Sequence, residues 1–243
     1  MNPELLRRLW VTPALLLLAL LFQQMHWDWL VTDHFFDYVD SRFPMRGLWW
    51  SDGLLHDGGT MIVAGIASVS LIALVASYRI ARLRPLRGDF AYLLACIALT
   101  TGVVALIKSV SGIHCPVELA RYGGRFHYEA LIDRLLRPVV GEGRPGACFP
   151  GGHSSGGLSL LALYFLALHH RWAYAPRVLM ATVAIGFVFA LTQWIRGAHF
   201  PSHDLTTAAI AWAICLLLAA TRRRLPTMPA VAAPPEHANI VGS

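Results

Sequence analysis

The chain has 243 residues, of which 56% are hydrophobic and only 14% charged, and its mean hydropathy is +0.53. Soluble domains hold roughly 45–50% apolar and 25% charged residues, so this composition excludes an ordinary soluble protein. The net charge of +6 does not imply a nucleic-acid partner, because the basic residues are scattered along the borders of apolar runs and build no aromatic-interleaved basic face.

Arg7 and Arg8 stand ahead of the apolar run Val11–Phe22. No small-residue cleavage site follows, and Gln23, Gln24, Met25, His26 and Trp27 read as a membrane border, so a retained signal-anchor helix is expected. A span needs about 20 apolar residues. Six segments qualify in outline: Leu9–Met25, Thr60–Tyr78, Phe90–Val110, Ser155–Leu168, Val178–Ile195 and Leu205–Ala220. Their connections sort by charge. Arg7 and Arg8, then Arg79, Arg82, Arg84 and Arg87, then Arg171 and Arg177, then Arg222, Arg223 and Arg224 fall on one side, which the positive-inside rule makes cytoplasmic. Both termini then lie inside, and residues 26–59, 111–154 and 196–204 face outward. The expected fold is an all-α, polytopic membrane helix bundle of about six spans. One membrane domain covers residues 1–224. A proline-rich tail at 225–243 reads as disordered and cytoplasmic.

Within 26–59, eight aromatic residues alternate with Asp28, Asp33, Asp37 and Asp40. That pattern suits an aromatic belt in the headgroup layer with no catalytic role. His56, Asp57, Gly58 and Gly59 open the second span, either as a substrate contact or as a capped helix start.

Lys108 is the sole lysine of the chain and ends the third span on the outer side. Arginine snorkels equally well, so a lone lysine points to a demand for a compact point charge. The fourth span opens with Cys148-Phe-Pro-Gly-Gly-His153-Ser-Ser-Gly-Gly157. Gly151 and Gly152 allow close backbone approach, and the helix behind them offers unpaired N–H groups and a positive dipole end, together an anion cradle. His153 sits at its lip, placed to exchange a proton. The Gly-x-Ser-x-Gly pattern at 152–156 belongs to a strand–turn–helix elbow and is set aside, because a membrane span follows it here. Residues 196–204, Arg-Gly-Ala-His-Phe-Pro-Ser-His-Asp, bring Arg196, His199, His203 and Asp204 together between two apolar runs. Ionisable groups at that depth usually mark a site. The topology puts Lys108, the Gly-Gly-His153 loop and 196–204 on one face, although none of them was used to assign it. A cation, a backbone cradle and histidines converging there describe a phosphate site.

Taken in order, a lysine shortly before a proline, a Pro-x-Gly-His loop, and an arginine followed by His-x-Pro-Ser and an acid resemble the type 2 phosphatidic acid phosphatase family, which shares its core with vanadium haloperoxidases. The likeness covers Lys108 to Asp204 in detail. It implies that Lys108 and Arg196 bind phosphate, helped by backbone N–H groups at Gly151 and Gly152 and by Ser154. It implies that His199 is the nucleophile, Asp204 its orienter and His153 the acid for the leaving group, with no cofactor and no metal. The chain departs from the family pattern where Cys115 replaces an arginine before Pro116, where Gly151 replaces a serine, and where Gln193 stands six residues before His199 in place of the arginine, Arg196 lying three residues later. His203 occupies the fourth position after His199, where the family has its acid, and Asp204 the fifth, so both remain candidates to orient His199.

The function expected from this site is hydrolysis of a phosphomonoester or diphosphate lipid headgroup through a phosphohistidine, at the periplasmic face of a bacterial inner membrane. The partners are the lipid phosphate and the membrane, with no nucleic acid. Lipid-to-lipid phosphotransfer would use the same residues. A metal-dependent hydrolase with His153, His199, His203 and Asp204 as ligands, and a lipid transporter without chemistry, are the other classes.

Cys96 and Cys215 fall inside spans and read as buried small residues. Cys115 and Cys148 both lie in the outer connection, where an oxidising compartment favours a disulfide worth roughly 3–4 kcal/mol by loop closure. With Cys115 in the family's arginine position, Arg121 or Arg125 is expected to fold back over the headgroup in its place.

Overall fold

The computed structural model describes residues 3–136 and 146–222, so the expected disordered tail lies outside the described residues. Its main helices are α1 (Val11–Gln24), α2 (Trp27–Asp33), α3 (Gly58–Ala76), α4 (Arg87–Ser111), α5 (Gly152–Ser159), α6 (Leu161–His169), α7 (Ala175–Trp194) and α8 (Pro201–Thr221). Local sequence explains their ends. α4 stops at Gly112, whose φ of +67° is the left-handed conformation that closes a helix. α8 starts with Pro201, whose fixed φ suits a first helical position. A π-helix at Trp50–Asp57 leads into α3.

Among the described residues, four stretches are long and apolar enough to cross a membrane: Trp50–Ala76, Ala81–Ser111, Ala175–Trp194 and Pro201–Thr221. α1 and α2 qualify together but are bent by 72°, which allows a fifth. The chain is thus a multi-pass membrane protein, but the expected six spans are not reproduced by length and apolarity. The stretch 152–169 falls short because it is broken at Leu160 into helices of 8 and 9 residues and begins Gly-His-Ser-Ser-Gly-Gly. Its position removes the need for an apolar exterior. α5 packs against α4, α7 and α8, and α6 against α7 and α8, so this stretch is the centre of the bundle.

Small residues let the helices close on that centre. A side chain on Gly186 would strike Leu158, and one on Gly157 would strike Phe189. Ala162, Ala167 and Ala211 are fully buried among Phe165, Trp212 and Leu216. In lipid such close packing replaces the hydrophobic drive that water would supply. α3 lies at the edge, turning Met61, Ile62, Val69, Ile72 and Val75 outward.

The arginine-rich connections share one end of the bundle. There Asp89 pairs with His170 at 2.7 Å and with Arg222, and Arg87 donates to Ser77 O at 2.8 Å. The opposite end carries a second cluster of Phe36, Phe43, Leu119, Tyr122 and Phe200, with Trp29 and Tyr128 packed on it. This narrows the reading of 26–59 as an interfacial belt: Trp29, Phe35, Phe36 and Phe43 join Phe200, the residue after His199, in a small core at this end of the bundle, while Trp27, Tyr38 and Trp49 stay exposed.

Candidate active site

Asp204 organises the centre of the site. It lies in the first turn of α8 and is buried with His199 at 4% and 3% exposure. Its Oδ1 accepts from His199 Nδ1 at 3.1 Å and from Ser154 Oγ at 2.5 Å, and its Oδ2 accepts from Trp194 Nε1 at 2.6 Å. A carboxylate held by three donors cannot swing, and it fixes the proton of His199 on Nδ1. Among the described residues His199 bonds through Nδ1, which leaves the lone pair of Nε2 available. Of the two candidates, Asp204 is the one that bonds His199. His203 is buried between Phe149 and Phe200, its ring 6.2 Å from that of His199, and its Nδ1 has no partner.

The loop before α5 explains its glycines. A Cβ on Gly151 would come within 2.0 Å of Asp204 Oδ1, so only glycine leaves room for the carboxylate. Gly151 N–H is directed to His203 O at 3.3 Å, which removes it from the expected phosphate cradle. Gly152, His153 and Ser154 open α5, and first-turn N–H groups have no acceptor within their own helix. Lys108 Nζ lies 3.1 Å from where a Cβ of Gly152 would be. Lysine and helix N-terminus therefore meet at one point. Ser154 differs from its expected role: its hydroxyl is fully buried on Asp204 and Gly151 O, facing inward because the carboxylate is the stronger acceptor.

His153 is held more loosely. Its ring stacks on Phe189 with centroids 4.7 Å apart, and Phe189 is gripped between Gly59 and Gly157, where side chains would collide with it. Nδ1 is 3.5 Å from Thr60 Oγ1, and Nε2 is buried without a partner. The ring of His56 lies 4.2 Å away. Arg196 sits at this side of the site, its guanidinium paired with Asp52 at 2.5 Å and bonded to Gln193 Oε1 at 3.3 Å.

Lys108, Gly152 and His153 head a cavity of about 360 Å³ that runs between α3 and α4 along Val63, Ala64, Ala67, Ile97 and Val104. Its upper end is polar and its lower end hydrocarbon.

The disulfide joins Cys115 to Cys148, with Cα atoms 5.1 Å apart. Around it Cys148 N–H bonds Ile113 O at 2.9 Å and Val117 N–H bonds Gly197 O at 2.9 Å, so the three loops at this end are laced together. Arg121, one candidate for the missing arginine, is engaged elsewhere. Arg121 is bound by Asp33 through Nε at 3.0 Å and Nη2 at 2.5 Å and lies over the Trp29 ring. Those hydrogen bonds hold its pKa above the ordinary guanidinium value. Arg125 is exposed. Asp33 is the reason: a bidentate carboxylate beside an aromatic face is a stronger attraction than open loop.

Sequence reasoning singled out His56 only as one of two readings. It missed Trp194, Asp52 and Asp28. Asp28 is buried and accepts from Ser202 N–H at 2.9 Å and Ser202 Oγ at 2.6 Å, capping α8 from another helix. A tryptophan at a helix end and an aspartate among aromatics gave no local signal of these partners. Among the described residues, no group of three His, Cys, Asp or Glu side chains is arranged to hold a metal ion.

Residues 89–226 match the family model of the PAP2 superfamily. No curated protein and no solved structure matches the chain. The family match starts in α4 and takes in Lys108, the loop before α5 and the whole of 196–204, more than half of the 243 residues, and on that extent the chain belongs to the PAP2 superfamily of phosphoesterases.

Proposed function

We propose that the protein is an integral-membrane lipid phosphatase that removes a phosphate from a phosphomonoester or diphosphate headgroup through a phosphohistidine, at the outer face of the membrane. The observation that carries this reading is the pairing of His199 with Asp204, which also holds Ser154, the residue after His153, together with a cavity whose polar end holds Lys108 and His153 and whose remainder is largely hydrocarbon. A headgroup at the polar end leaves its tail beside Val63, Ile97 and Val104, which a soluble phosphate ester would not need.

His199 Nε2 attacks phosphorus while the bond from phosphorus to the leaving oxygen breaks, and His153 gives its proton to that oxygen. Lys108 and the first-turn N–H groups of α5 stabilise charge on the equatorial oxygens, the main demand of phosphoryl transfer. Arg196, kept on Asp52 and Gln193, adds its positive charge at this side of the site. Water then attacks phosphorus and its proton passes to His153. The phosphorus–nitrogen bond breaks, inorganic phosphate leaves and His199 is restored. Asp204 keeps the ring aimed and balances the positive charge it acquires.

A phosphate-release assay of the detergent-purified protein against a panel of lipid mono- and diphosphates tests this. Release from at least one lipid is expected, unaffected by EDTA and inhibited by vanadate, which adopts the five-coordinate geometry of the transition state. Activity lost in EDTA and restored by zinc would contradict the scheme.

A further inference from the structure

His56 and His153 stand with ring centroids 4.2 Å apart. Two imidazolium ions at that distance repel strongly enough to lower each other's proton affinity at least several-fold. The hydrogen bonds around Gln193 bear on which ring takes the charge, because they fix the tautomer of His56. Arg196 carries only donors, so the atom it meets at 3.3 Å is Gln193 Oε1. The other end of the amide, Nε2, then directs its N–H to His56 Nδ1, 3.1 Å away. A ring nitrogen that accepts a hydrogen bond bears no proton, so His56 is neutral with its hydrogen on Nε2. Protonating Nδ1 would require the amide to turn over, and its NH₂ would then face the guanidinium, donor against donor. Arg196 is anchored by Asp52 at 2.5 Å and does not follow.

We infer that Gln193 and His56 are positioning residues that reserve the exchangeable proton of the site for His153. The inference rests on the reading of His153 as the acid of the phosphatase. His56 contributes a neutral ring beside His153, Gln193 keeps it neutral, and Arg196 with Asp52 holds the amide in register. The other groups acting on His153 are His199, Arg196 and Asp204, and Lys108 shares its cavity. Those acting on His56 are Arg196, Asp57, Asp52 and His199. Asp52 and Asp57 favour a charged His56; its burial, Arg196 and His199 oppose them, and the Gln193 N–H adds to that opposition at Nδ1.

Gln193→Glu replaces that N–H with an acceptor and tests the idea in two ways. In ¹⁵N-histidine NMR of the detergent-solubilised full chain, with the His56 signal assigned by its loss in His56→Phe, His56 is expected as the neutral Nε2–H tautomer near pH 7 and as imidazolium in Gln193→Glu. In kcat/KM profiles the alkaline limb, where the acid loses its proton, is expected to move to lower pH by about one unit in Gln193→Glu, the order of like-charge repulsion at this distance. The same substitution in a His56→Phe background should give no downward shift, because the competing charge is gone. A His56 found charged or as the Nδ1–H tautomer in the unsubstituted protein would overturn the inference, as would equal downward shifts in both backgrounds. The NMR readout needs no turnover. A separate finding that His199→Ala retains activity would count against the phosphatase scheme alone.

Discussion

The corners of the site around His199 and His153, the proposed nucleophile and acid, are built in opposite ways. His199 is tied through Asp204 to Ser154 and Trp194 by bonds of 3.1, 2.5 and 2.6 Å, the first two buried and the last partly so. His153 is held by the face of Phe189 and one contact of 3.5 Å, and its Nε2 has no partner. A nucleophile must be aimed, and permanent hydrogen bonds to its far nitrogen do that without engaging the attacking one. An acid that gives a proton and takes one back within a cycle is hindered by permanent bonds, so shape holds it instead. The same bundle end supplies rigidity by hydrogen bonding in one corner and by packing in the other.

After loss of His199 itself, removing the proposed proton donor should have the largest effect. His153→Ala is expected to slow turnover of a lipid phosphate on the order of 10²–10⁴-fold, the range of a positioned acid. The loss should be much smaller on p-nitrophenyl phosphate, whose leaving group needs no proton. Equal losses on the two substrates would mean that His153 serves some other purpose.

Loosening the nucleophile corner should cost less. Trp194→Phe removes one hydrogen bond to a buried carboxylate, worth about 1.5–3 kcal/mol, so a fall in kcat of roughly ten- to a hundredfold is expected. A wild-type rate would show that Asp204 is held without its indole partner.

The adjacent glycines sharpen the contrast at the level of stability. Gly151→Ala puts a methyl 2.0 Å from Asp204 Oδ1, and such overpacking costs about 1–3 kcal/mol, read as a lowered melting temperature. Gly152→Ala meets only the flexible end of Lys108 at 3.1 Å, so its melting temperature should stay near wild type while KM rises. The reverse order would place the rigid corner in the wrong loop.

Much of this site is legible in the sequence, because its chemistry needs unusual residues in apolar surroundings. Lys108, His153, His199 and Asp204 stand out as ionisable groups at the ends of spans, and charge bias alone puts them on one face. Cys115 and Cys148 are legible as a pair by compartment and by exclusion of the buried thiols. What stays hidden is the partner of each polar group. Ser154 reads as a phosphate ligand because its loop does, yet a carboxylate 50 residues away claims its hydroxyl. Arg121 reads as a headgroup ligand until Asp33, 88 residues away, is found to hold it. The aromatics of 26–59 satisfy a membrane interface and a small core equally well, since both ask for large amphipathic rings. The spans differ for a similar reason: 152–169 is apolar enough to be seen, but only its central position permits the glycines and serines that break it.

The central claim is that His199 becomes phosphorylated. The direct measurement is mass spectrometry of the protein quenched at alkaline pH, where phosphohistidine survives, during turnover of a lipid phosphate. The account predicts a phosphate of transient occupancy on His199, no label in His199→Ala, and no turnover by that variant above the uncatalysed background. Turnover by His199→Ala, or a phosphate found on another residue, would contradict it.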